Sequence, residues 1–205
     1  SIYVNPTQFG PGEDFEQYPR DLESDLAQCR KASVAAAFCP DVEQMYPRRL
    51  VACEVNVPQL AGNLEATFRP EFFGGVCRVV AKLLNIVQPD ILCLGEKDYQ
   101  QLRVVEAMIA DLLLPVQVKA FPVVREADGL AYSSRNVLLK DQYRDRANCL
   151  YQALTDARML VEVAGETNPR CVETAMRETL LAHATKVDYA VLRDSRTLNE
   201  LDCIE

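Results

Sequence analysis

Histidine is scarce in this sequence: His183 stands alone among 205 residues. A cysteine–histidine hydrolase and a multi-histidine metal centre both lose their chemistry to that shortage, since each needs imidazole beside the nucleophile or in the ligand set. Paired cysteine motifs are missing as well. Cys29, Cys39, Cys53, Cys77, Cys93, Cys149, Cys171 and Cys203 include no C-x-x-C, and no charged-then-apolar export segment opens the chain. These thiols are expected to be reduced and mostly packed as small hydrophobes, which argues against a disulfide framework and a zinc site. No uninterrupted apolar run is long enough to span a bilayer, so no membrane partner is expected. Positive charge is also short: 22 Lys and Arg face 30 Asp and Glu, a net charge of -8. A nucleic-acid binder needs a basic surface to displace counterions from phosphates, and this chain lacks the balance for one.

What is there suits a folded α/β protein. Hydrophobic residues make up 49% and charged residues 25%, enough to bury a core. Short β runs are expected at Ser1–Val4, Val34–Phe38 and Val51–Val57, with a helix over Asp21–Lys31. Val76, Val79, Val80, Leu83, Leu84 and Val87 fall on one side of a helix from about Gly75 to Val87. Ile91–Leu94 reads as a strand buried on both faces, Tyr99–Leu114 as a helix and Val116–Val124 as the next strand. This alternation predicts a parallel sheet with helices on both faces. Helices follow at Asp141–Val163 and Arg170–Ala184, then a strand at Val187–Leu192. The pattern changes after residue 137, giving domains 1–137 and 138–205.

Two polar loops follow strands, at the edge where open parallel sheets bind ligands. In Gly95-Glu96-Lys97-Asp98, glycine lets backbone approach a ligand, Lys97 supplies a point charge for phosphate, and Asp98 can accept from a hydroxyl. Gln100 and Gln101 follow on the first helical turn, where an amide can read a small polar substrate. Ser133-Ser134-Arg135-Asn136 offers hydroxyls and a bidentate guanidinium to phosphate oxygens. Each loop alone is more often a turn or a helix cap, whereas two on one edge favour a site. An acidic total does not exclude ATP, because local cations and backbone N–H groups can hold phosphates.

In order and spacing, Val4-Asn5-Pro6-Thr7-Gln8-Phe9, Tyr18-Pro19-Arg20, Met45-Tyr46-Pro47, Arg69-Pro70, Gly95–Gln101 and Asp128–Asn136 resemble the pantothenate synthetases, the pantoate–β-alanine ligases. The resemblance implies a doubly wound, Rossmann-like parallel sheet with a smaller α+β C-terminal domain. It implies that ATP adenylates D-pantoate with release of pyrophosphate, and that β-alanine then attacks the acyl-adenylate to give pantothenate and AMP. By motif, Gln8 and Gln101 would hold pantoate. Gly95, Glu96, Lys97 and Asp98 would contact the ATP ribose and phosphates, with Val124 near the adenine. Tyr132, Ser133, Ser134 and Arg135 would line the phosphate path, and Lys97, Ser133, Ser134 and Arg135 would carry the catalysis. Mg2+ is expected on the phosphates, with Asp25 a candidate to touch it. The resemblance also implies a cytoplasmic homodimer.

The chain departs from the family pattern in places. The family's His-x-Gly-His lies in a first β-α unit upstream of the N-P-x-Q-F motif, and this sequence opens at the later motif. The expectation is therefore a fragment with that unit missing, shortened also after Glu205, and inactive alone. Phe72 stands where the family usually has His, and Ala66 where it has Gly. The competing reading is an inactive relative that binds nucleotide or pantoate, or serves as an oligomer partner. His183 is expected to be a surface or capping residue.

Overall fold

A computed structural model describes residues 1–47 and 53–205. By contact density the chain divides into two compact units, Ser1–Phe121 and Pro122–Glu205. The sequence pattern changes later, after residue 137. The contacts divide earlier because the intervening segment bonds to the second unit's helices: Glu126 and Asp128 pair with Arg144, and Arg125 lies over the Tyr151 ring.

The first unit carries helices α1 (Leu22–Lys31), α2 (Val42–Met45), α3 (Glu65–Phe68) and α4 (Phe72–Val87). Strand β1 (Ile91–Gly95), helix α5 (Tyr99–Asp111) and strand β2 (Gln117–Phe121) follow. Local chemistry sets their ends. Asp21 caps α1 by accepting from the Ser24 N–H, and Asp41 with Gln44 closes a reciprocal capping box on α2. Helix α4 ends where Gln88 turns left-handed just before Pro89.

Strands β1 and β2 pair in parallel, Ile91 opposite Gln117 through Gly95 opposite Phe121. The connection between them is α5, a βαβ crossover. The core lies where α4 and α5 meet this sheet: Phe73, Val76, Cys77 and Leu84 pack with Val104, Val105, Met108 and Ile109. Leu92, Leu94 and Val118 project onto that cluster.

Several expected elements differ. Strand β1 is not buried on both faces but alternates, with Leu92 and Leu94 toward the core and Ile91 and Cys93 exposed. Only one face of the pair packs on α4 and α5, so the period of two decides exposure. Ser1–Val4 and Val34–Phe38 form no strands; one backbone bond joins them, from the Ile2 N–H to the Phe38 carbonyl at 2.9 Å. A strand needs a ladder, and one bond does not make it. Of the expected Val51–Val57 strand, residues 51 and 52 lie outside the described residues, and 53–57 form no strand.

The second unit contains α6 (Asp141–Arg144), α7 (Cys149–Glu162) and α8 (Pro169–Leu181). The single helix expected over Asp141–Val163 is interrupted between α6 and α7, where the bonds tighten to i→i+3, as from the Ala147 N–H to the Arg144 carbonyl. Helices α7 and α8 bury Cys149, Ala153, Ala157, Val172, Met176 and Leu180 between them. Val187–Leu192 forms no strand; Val187, Ala190 and Leu192 pack on the helix pair instead. The cysteines also depart from expectation. All eight are free, but only Cys77 and Cys149 are buried, and burial pushes the Cys77 thiol up to about 11.

Candidate functional site

In the first unit the Pro6–Gln8 turn packs on α4, with Asn5 as its anchor. Asn5 is 3% exposed and uses its whole amide. Its Nδ2 donates to the Gly75 carbonyl at 3.1 Å and to Gln8 Oε1 at 3.2 Å, while its Oδ1 accepts from the Tyr46 hydroxyl at 2.7 Å and from Thr7. Burial raises the Tyr46 pKa, so the phenol stays a neutral donor. Gly75 permits the close approach: a Cβ there would sit 2.2 Å from the Thr7 carbonyl oxygen. The Gln8 side chain is thus positioned by a buried polar group whose partner Gly75 lies 70 residues away in sequence.

Arg69 fastens the same turn from the other side. Its guanidinium donates to the Gln8 carbonyl at 3.0 Å, to Glu65, and in a fork to Glu13 at 2.7 and 2.5 Å. The hydrogen bond from Arg69 holds Glu13 below the usual carboxylate range. Phe72 lies under the guanidinium, with Arg69 Cζ 4.1 Å from its ring centroid. The phenylalanine at that position therefore serves as a stacking floor for Arg69. Gln8, Glu13, Arg69 and Phe72 line a cavity of about 190 Å³.

At the carboxyl end of β1 the chain runs through a turn, Glu96–Asp98, into α5. Gly95, Glu96, Lys97 and Asp98 are all exposed, with Lys97 Nζ 3.4 Å from Asp98. Gly95 has an ordinary φ of -89°, and a Cβ on it would meet nothing within 4 Å. Neither torsion nor packing within the fold demands glycine there. Gln101 is half-buried on the first turn of α5. Gln100 is already committed elsewhere: its Nε2 donates to the Leu60 and Asn63 carbonyls and its Oε1 accepts from the Glu65 N–H. It anchors a loop and is not an amide free to read a substrate.

In the second unit Val124 and Tyr132 face each other at the open end of a hairpin, where the Tyr132 N–H donates to the Val124 carbonyl at 3.0 Å. Both side chains are well exposed. The hairpin closes through Asp128 and Gly129, the latter at φ +93°. Its return leads into the short helical segment Ser134–Leu138, capped by Ser133, whose Oγ accepts from the Arg135 N–H at 3.2 Å. Ser134 and Arg135 are exposed. Arg135 and His183 are among the residues lining a largely apolar cavity of about 560 Å³, with His183 itself exposed just beyond α8.

Asp25 sits half-buried in the first turn of α1. Among the described residues no group of three or more His, Cys, Asp or Glu side chains gathers as a metal site. Among the described residues, too, no helix is long and apolar enough to cross a membrane. Asn5, Tyr46 and Arg144 escaped the sequence reading as positioning groups, and Arg69, for which the sequence leaves phosphate, a subunit partner or a nearby carboxylate open, pairs with Glu13 and Glu65. Tyr46 and Arg69 stood inside recognisable motifs, but nothing local told which loop they hold.

A parallel βαβ sheet with a polar loop at its carboxyl edge, followed by a helical unit with a serine–arginine loop, defines an α/β protein. Comparison with known proteins makes this specific. The Pantoate-beta-alanine ligase family model matches residues 1–204, and the chain belongs to that family. It is 44% identical over 207 residues to the pantothenate synthetase of Aquifex aeolicus, covering 100% of this chain and 72% of the relative. It is 47% identical over 205 residues to that of Moorella thermoacetica, with 100% and 72% covered. The crystal structure of the Thermus thermophilus pantothenate synthetase superposes with a TM-score of 0.93 at 45% identity, over 98% of this chain and 73% of that one. The Francisella tularensis pantoate-beta-alanine ligase, described as complexed with beta-gamma ATP and beta-alanine, gives a TM-score of 0.72 at 32% identity, over 87% and 66%.

Proposed function

We propose that this chain takes part in the ATP-dependent condensation of D-pantoate with β-alanine, through a pantoyl-adenylate, giving pantothenate, AMP and pyrophosphate. One observation carries the reading furthest: family membership along residues 1–204, joined to an exposed Gly95–Asp98 loop at the carboxyl end of β1. In the first step a pantoate carboxylate oxygen attacks the α-phosphorus, and the bond from that phosphorus to the bridging oxygen breaks. In the second the β-alanine amine attacks the acyl carbon, loses a proton and expels AMP.

Gln8 and Gln101 hold pantoate in this reading, and the Asn5 network keeps Gln8 ready. Gly95 to Asp98 take the ribose and phosphates, with Gly95 letting backbone come close to the nucleotide. Val124 lies near the adenine. Tyr132, Ser133, Ser134 and Arg135 follow the phosphates, where Lys97 and Arg135 offset charge growing on the departing pyrophosphate. Magnesium arrives with ATP as part of the substrate. The reading includes a homodimer in the cytoplasm as its setting.

The test is pyrophosphate release from ATP with pantoate alone, compared with unrelated acids. Release that depends on pantoate supports the reading. Release with several other acids and none with pantoate overturns it. Pantoate and nucleotide binding without any release replaces it with the inactive-relative reading.

A further inference from the structure

The hairpin before Ser133 is fastened by a residue with no assigned part in the reaction. Arg144, the last residue of α6, sends Nη2 to Glu126 Oε2 at 2.8 Å and Nη1 to Asp128 Oδ2. Each carboxylate then works on its second oxygen. Asp128 Oδ1 accepts from the Leu130 N–H at 3.1 Å, fixing the turn. Glu126 Oε1 accepts from Asn136 Nδ2 at 2.9 Å, and the same amide donates to the Ala131 carbonyl at 3.1 Å. Ser133, Ser134 and Arg135 lie between Ala131 and Asn136 in sequence, so this chain of bonds grips them from both ends.

The network is more than one surface ion pair. An isolated exposed pair contributes little, but one guanidinium bridging two carboxylates, each bonded onward, has a geometry that single pairs lack. The backbone agrees: the Glu126 N–H donates to the Leu130 carbonyl at 2.8 Å, and Arg125 bridges Ala131 in antiparallel register. Tyr151 of α7 closes the turn on its other side, against Gly129.

We propose that Arg144 is a positioning residue for the adenylation step: through Glu126, Asp128 and Asn136 it holds Ser133, Ser134 and Arg135 in one arrangement. The inference rests on the proposed function, which gives those three residues their roles. Arg144 itself touches no substrate. A misplacement of about 1 Å can cost about 100-fold in rate, so a residue that only fixes a loop can weigh on the chemistry.

The experiment uses Arg144→Gln, Arg144→Lys and Arg135→Ala in the natural protein, alone and combined. Arg144→Gln is expected to lower the kcat of pantoate-dependent ATP–pyrophosphate exchange by about tenfold or more, while the KM for pantoate stays within about twofold. In the Arg135→Ala background the same change costs less than about twofold, because the group it positions is already gone. Lysine, reaching one carboxylate, restores part of the loss. Amide hydrogen exchange supplies a readout independent of activity: Arg144→Gln speeds exchange at Leu130, Tyr132 and Asn136 and leaves α8 unchanged. Equal losses with and without Arg135, or unchanged exchange at those amides, overturn the proposal. Absence of pantoate-dependent exchange in the unaltered protein would instead defeat the functional reading, and hydrogen exchange still decides whether Arg144 holds the loop.

Discussion

Asn5 concentrates much of what single residues do in the first unit. A buried amide with all its partners in place is stable, but the same partners without it are left stranded in a dry interior. Asn5→Ala takes one partner each from the Gly75 carbonyl and from the Tyr46 hydroxyl, which keeps only the Thr7 hydroxyl at 3.2 Å. It should cost about 1–3 kcal/mol in denaturant unfolding and raise the KM for pantoate, since Gln8 loses its anchor. Gly95→Ala makes the opposite kind of prediction. With open space and an ordinary φ at that position, unfolding should be unchanged while the KM for ATP rises; unchanged nucleotide affinity would remove the loop from the site. Glu13 carries a pH signature. Its folded pKa lies below the ordinary glutamate value of about 4.3, so its contribution is fully present above that value and is lost as pH falls through the lower, folded pKa. The stability difference between the unaltered protein and Glu13→Gln should therefore be largest near neutrality and shrink in acid.

Among elements, the 124–132 hairpin is the most exacting. Gly129 combines φ +93° with a Tyr151 ring carbon 2.0 Å from where a Cβ would lie. Gly129→Ala should destabilise the second unit by about 1 kcal/mol or more, read as a lower thermal midpoint. How far elements are legible from sequence depends on where their cause lies. Helices α4 and α5 are legible because Val76, Val79, Leu84, Val104, Val105 and Met108 repeat at the helical period. Strand β1 follows from the short apolar run Ile91–Leu94, and β2 from the alternation of Val116, Val118 and Ala120 with polar neighbours. The Ser1–Val4, Val34–Phe38 and Val187–Leu192 segments share that composition, yet pairing is a property of neighbours and composition does not supply one. The same limit hides contacts between distant residues. Gln100 resembles a substrate-reading amide in sequence, and only the fold reveals that Leu60, Asn63 and Glu65 have claimed it. The candidate loops themselves, Gly95–Asp98 and Ser133–Asn136, are legible because their chemistry is local. What holds them, Arg144 above all, is not.

At the scale of the whole molecule, the two compact units divide the proposed labour. The first carries the groups assigned to pantoate, the ribose and part of the phosphates, and the second carries Val124, assigned to the adenine, and the Tyr132–Arg135 loop, assigned to the phosphates. The proposed function joins these assignments into one reaction, whose central claim is that pantoate is activated as an acyl-adenylate. Pantoate labelled with oxygen-18 in its carboxylate tests that claim most directly. If carboxylate attacks the α-phosphorus and AMP later leaves from the acyl carbon, one labelled oxygen ends in the phosphate of AMP. Mass spectrometry of the AMP formed with ATP and β-alanine should find it. Pantothenate made with unlabelled AMP, or with the label in inorganic phosphate, would contradict the account.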